Sequence, residues 1–99
     1  MNVLRSIVVA SALGAATLAH AQVDQVKVWA AACANCHGTN GHAEPGMVAL
    51  AGMDADAMTK SLLDFKAGRR PATLMHQISK GYTDDELRAI AAYFAAQKK

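Results

Sequence analysis

The sequence predicts an all-α domain of about four helices, and three observations carry that reading. Apolar residues recur at helical spacing: Met58, Leu62 and Phe65 stand at i, i+4 and i+7, while Leu87, Ile90, Ala91 and Phe94 share a face. Residues that cap helix N-termini precede helical segments, at Asp24, at Asp54 or Asp56, and at Thr83. No stretch beyond residue 21 alternates apolar and polar side chains as a half-buried strand does. The length of 99 residues allows one domain at most.

The first 21 residues read as a cleavable export signal rather than part of that domain. Arg5 supplies a positive start, Ile7 to Leu18 form an apolar run, and Ala19-His20-Ala21 gives the small-x-small pattern before cleavage. The run is too short and too rich in Ala, Ser and Gly for a membrane span of about 20 residues. Cleavage before Gln22 leaves a domain over 22–99 with no membrane span, and His20 departs with the signal.

Asp24 caps a first helix from about Gln25 to Ala34, with Val26, Trp29 and Ala30 on one face. Gly38 to Gly52 has loop composition, and Thr39-Asn40-Gly41 is a turn signal. The second helix, opened by Asp54 or Asp56, stops at Gly68 before Arg69-Arg70-Pro71. Ala72 to Lys80 reads as a short helix ending at Gly81. Thr83-Asp84-Asp85-Glu86 has the spacing of a capping box and starts the last helix, which runs to about Gln97. Ala91, Ala92, Ala95 and Ala96 let another helix approach it closely. Trp29, Tyr93 and Phe94 are expected to pack the first helix against the last.

Charge and size narrow the function. Lys and Arg number 10 against 8 acidic residues, and losing Arg5 leaves the exported domain nearly neutral. No basic stripe is available to neutralise phosphates, which argues against nucleic acid as a partner. Small domains usually need a disulfide, a metal or a large ligand to complete the core. Only Trp29, Phe65, Tyr82, Tyr93 and Phe94 supply aromatic bulk.

Both cysteines fall in one string, Cys33-Ala34-Asn35-Cys36-His37. Residues three and four apart share a helix face. Cys33 and Cys36 can therefore each form a thioether to a vinyl group on one edge of a haem, with His37 turned under the ring to bind iron. C-x-x-C-H is the established string for c-type haem attachment. The competing readings are weaker. A Cys33–Cys36 disulfide would close a tiny loop and staple little. A thioredoxin-like pair needs a βαβ context, and zinc needs four ligands where only His42 and His76 remain in the domain.

From about Val23 to Gln97 the sequence also resembles the class I cytochromes c. The resemblance rests on Cys33 to Gly38, Leu50-Ala51-Gly52, Phe65-Lys66-Ala67-Gly68 and the Asp84 to Tyr93 segment. Leu74 to Tyr82 is similar to the haem subunit of flavocytochrome c sulfide dehydrogenases and to related small periplasmic cytochromes. Those subunits often carry two such domains in tandem, whereas this chain has one pentapeptide. The resemblance implies a cytochrome c-like fold around one covalent haem c and crossed terminal helices. It also implies redox protein partners, among them a flavoprotein that oxidises sulfide.

The second axial ligand decides the chemistry, because a filled sixth position suits electron transfer and an open one suits catalysis or gas binding. Met47, Met53, Met58 and Met75 are the candidates within 22–99. Met58 sits on the apolar face of the second helix, and Met47 and Met53 follow the haem motif closely on the side of His37. Met75 lies beyond Pro71, far enough along the chain to cross to the opposite face, and the resemblance places the methionine ligand there too. His76 is the alternative ligand, and His42 reads as a solvated loop residue. The resemblance further implies that the Pro45 carbonyl accepts a hydrogen bond from His37; Pro45 alternatively only stiffens the loop. Lys60, Lys66, Arg69, Arg70 and Lys80 form either a ring for an acidic partner or a solvated basic face.

The sequence thus predicts a periplasmic, non-enzymatic one-electron carrier or electron-accepting subunit, with Cys33, Cys36, His37, Met75 and Pro45 at the haem. The alternative is a haem enzyme or gas-binding module with an open sixth iron site. Near-neutral charge predicts docking that depends weakly on salt.

Overall fold

The computed structural model describes residues 24–99; the export signal expected over 1–21 lies outside them. Asp24 accepts a hydrogen bond from the Val26 N–H at 3.2 Å and opens helix α1, Gln25–His37. The helix continues three residues beyond the expected Ala34, because nothing in Asn35-Cys36-His37 ends it. Gly38 does, at φ +81° and ψ 162°. A Cβ there would sit 2.0 Å from the His42 carbonyl oxygen, so only glycine allows the chain to turn away directly behind His37.

A 3-10 turn over Thr39–Gly41 follows, with Asn40 at φ +53°. The Tyr93 hydroxyl donates to Asn40 Oδ1 at 2.7 Å, and the Gly41 carbonyl accepts from the N–H of Leu50 and of Ala51. These bonds fold the loop back on itself. His42 is no free solvent residue: its Nε2 lies 2.6 Å from the Lys98 carbonyl and its Nδ1 3.2 Å from the Thr39 carbonyl. It ties the C-terminal end to the turn.

Asp54 caps α2, Ala55–Lys66, by accepting from the Ala57 N–H at 2.9 Å. The chain leaves it through Gly68 at φ +77°. Helix α3, Met75–Ser79, is shorter than the expected Ala72 to Lys80. No capping side chain stands before Ala72, and the first turn instead closes where the N–H groups of Gln77 and Ile78 reach the Leu74 carbonyl. The capping box is present at α4, Asp84–Ala95: Thr83 Oγ1 accepts from the Glu86 N–H at 3.1 Å, and Glu86 Oε1 accepts from the Thr83 N–H at 3.0 Å.

Helix α4 packs against both α1 and α2, and α3 packs on α2. Ala30, Met58, Ile90, Ala91 and Phe94 form the buried cluster, with Trp29 and Tyr93 half-buried against it. Ala30 and Ala91 are the small residues in the cluster. The described residues contain four α-helices and no strand, and none of the helices is long and apolar enough to cross a membrane.

Candidate haem site

The helix packing leaves a partly open apolar cleft. Helix α1 contributes Cys33 and His37, and α3 contributes Met75 and Ile78. Its interior wall comes from α2 and α4, including Met58, Phe65 and Phe94. Cys33 is half-buried in the wall of the cleft and Cys36 is exposed. Burial pushes the Cys33 thiol up, against a smaller opposing effect of its backbone hydrogen bond. Among the described residues no three His, Cys, Asp or Glu side chains gather as a zinc site requires.

His37 Nδ1 lies 2.7 Å from the Val48 carbonyl. A carbonyl only accepts, so Nδ1 carries the proton and Nε2 keeps the lone pair that a metal needs. The acceptor is therefore Val48 and not Pro45. Pro45 is exposed at the corner of a turn closed by Met47 N–H to the Glu44 carbonyl, with Gly46 at φ +94°. That turn reverses the chain, and Val48 follows it. Any residue offers a carbonyl, so the sequence carries no signal for Val48.

The remaining candidates separate clearly. Met53, Met58 and Met75 line the cleft, whereas Met47 is exposed and outside it. His76 does not line the cleft, and its buried Nδ1 has no protein partner. The expected basic ring is largely neutralised within the chain. Lys60 and Arg69 both pair with Asp64, at 2.6 and 3.0 Å, and Lys66 pairs with Asp84 at 2.8 Å. Arg70 is not purely a surface residue: it lines the cleft.

An all-helical domain whose C-x-x-C-H string opens onto an apolar cleft defines a c-type cytochrome. A family model described as "Cytochrome C oxidase, cbb3-type, subunit III" matches residues 21–94, and the chain belongs to this cytochrome c family. Its cofactor is one haem c, attached through Cys33 and Cys36. The cytochrome subunit of sulfide dehydrogenase from Chlorobaculum tepidum is 39% identical over 68% of this chain and 61% of its own length. The thiosulfate dehydrogenase electron acceptor of Stutzerimonas stutzeri is 42% identical over 68% of this chain. This chain spans only 32% of that acceptor's length. The solved structure of Acidithiobacillus ferrooxidans cytochrome c4 superposes with a TM-score of 0.65 at 28% identity, covering 78% of this chain and 52% of that one.

Proposed function

We propose that the chain is a periplasmic one-electron carrier, or the electron-accepting subunit of a larger complex, with His37 and Met75 as axial ligands. The observation that carries the reading is a single apolar cleft lined by Cys33, His37 and Met75 but not by His76. Haem iron between a histidine and a thioether supplies reversible one-electron chemistry at a raised potential. The protein's share is to hold its ligands still and keep water away. Val48 fixes the His37 tautomer, while the apolar wall excludes solvent.

Two further methionines line the cleft, and their surroundings favour Met75 over both. Met58 is buried within the α2 face of the core cluster. Met53 belongs to the loop that also supplies Val48 to His37, and it packs against that cluster. Export to the periplasm rests on Arg5, the Ile7 to Leu18 run and Ala19-His20-Ala21. A sulfide-oxidising flavoprotein is the proposed electron donor, by likeness to the cytochrome subunit of sulfide dehydrogenase. Reduction of the haem by such a flavoprotein at turnover rates supports that donor, and exchange with other cytochromes alone rejects it.

Absorption spectroscopy of the ferric protein tests the ligation. A methionine–iron charge-transfer band is expected, lost in Met75→Ala and retained in Met53→Leu and Met58→Leu. High-spin iron that binds carbon monoxide readily in the unaltered protein would instead establish an open sixth site, and with it the haem-enzyme or gas-binding alternative.

A further inference from the structure

We infer that His42 is a positioning residue, a protonation-dependent clamp by which the C-terminal segment holds the loop that serves His37; this rests on haem c in the cleft and not on Met75 as its ligand. The loop from His42 to Gly52 carries Val48, whose carbonyl stands 2.7 Å from His37 Nδ1. The end of α4 and the residues after it touch both ends of that loop. At the far end the Gly52 N–H donates to the Phe94 carbonyl at 2.9 Å, and a Cβ on Gly52 would lie 2.6 Å from Lys99 Cγ. At the near end the link is the His42 ring, with Nε2 2.6 Å from the Lys98 carbonyl and Nδ1 3.2 Å from the Thr39 carbonyl.

Both partners of the ring are carbonyl oxygens, which only accept. The two bonds coexist only when each ring nitrogen carries a proton, and that ring is the imidazolium. A neutral ring of either tautomer turns a lone pair on one of the two carbonyls, and a bridge needs both ends. Losing the proton thus unlinks the Thr39–Gly41 turn from Lys98, whichever nitrogen gives it up. Histidine changes charge between about pH 5 and 8, so the clamp is closed in acid and opens as pH rises. No ion pair to the ring exists among the described residues. The charged groups beside it are Glu44, two residues along the loop, and Lys98 and Lys99 on the C-terminal segment. Tyr93 is the titratable group at this end of α4, and its hydroxyl donates to Asn40 Oδ1 at 2.7 Å. Opening the clamp removes a tie between the loop and the C-terminal segment, so the bond from His37 Nδ1–H to Val48 breaks more often and the histidine is held less firmly.

The test uses the reduced, haem-loaded protein and its His42→Gln variant, both labelled with nitrogen-15 and followed by NMR as pH rises. The first reading is the pair of His42 ring N–H protons. Both should be visible in acid, because the carbonyls shield them from exchange with water, and one should vanish at the ring's own titration midpoint. The second reading is solvent exchange of the Gly52 N–H and of His37 Nδ1–H. Corrected for base catalysis, this exchange should quicken roughly tenfold across that midpoint, the factor expected for one hydrogen bond from a charged group. In His42→Gln the corrected rates should be fast and independent of pH, while the amides of α2 keep the same protection in both proteins. Ring protons that are absent in acid, or corrected rates that ignore the His42 midpoint, overturn the clamp and make His42 a solvated loop residue. Should His42→Gln not yield folded protein, those two readings on the unaltered protein decide alone. Failure of Met75 ligation has a separate sign, absence of the charge-transfer band in the unaltered protein. The reduced carbon monoxide adduct is then diamagnetic and gives the same two readings.

Discussion

At Gly38 the backbone occupies a region of φ and ψ open essentially to glycine, immediately after the proposed iron-binding histidine. The sharp departure lets the loop swing round so that Val48 meets His37 Nδ1. Alanine would combine an unfavourable conformation with a clash against the His42 carbonyl. Gly38→Ala is therefore expected to cost at least about 1–3 kcal/mol, the usual price of such a conformation. Denaturant unfolding of the haem-loaded protein checks this, and a loss within a few tenths of a kcal/mol would refute it. Asp64 argues in the opposite direction. Hydrogen bonds from Lys60 first, and Arg69 second, hold its carboxyl below the usual carboxylate range. A carboxylate with a lowered folded-state value stabilises above its unfolded value and loses that effect as pH falls through the folded one. Asp64→Asn should thus be less stable than the unaltered protein at neutral pH, with the gap closing in acid. A gap that stays constant to low pH would show that the pair contributes through packing rather than charge.

Among the elements, the starts of three helices are legible because one side chain decides each. Asp24, Asp54 and Thr83 all cap the helix they precede. Thr83 and Glu86 answer two backbone N–H groups at the start of α4, which carries the buried Leu87, Ile90, Ala91 and Phe94. Thr83→Ala should cost about 1 kcal/mol. The melting transition of the holoprotein is the measurement, and an unchanged transition would mean that packing alone holds α4. Other features were not legible because long-range contacts set them. Helix α1 outlasts its apolar pattern to keep Cys33 and His37 on one face. Helix α3 has no capping side chain to mark its start. The His37 acceptor depends on where a ten-residue loop returns, which no residue type encodes, so Val48 stood unmarked and Pro45 was the wrong carbonyl. Arg70 reads as a surface cation beside Arg69, and only the fold separates their partners.

For the molecule as a whole, the fully buried apolar set among the described residues is small, and Ala30, Ala51 and Ala91 are three of its seven members. Larger apolar side chains line the cleft instead: Val48 is 61% exposed and Ile78 is 42% exposed in the protein alone. These side chains need a flat apolar group to cover them, which is why haem acts as part of the core as well as the redox centre. Covering that apolar wall removes it from water, which stabilises the fold by about 25 cal/mol per Å² covered. A Cys33→Ala, Cys36→Ala double variant, which removes both attachment points, is expected to lose cooperative folding along with the haem. Its near-ultraviolet circular dichroism should collapse while part of the far-ultraviolet helical signal survives, since the capped helices keep their local bonds. A sharp, single unfolding transition in that haem-free chain would show that α1, α2 and α4 form a sufficient core without the cofactor.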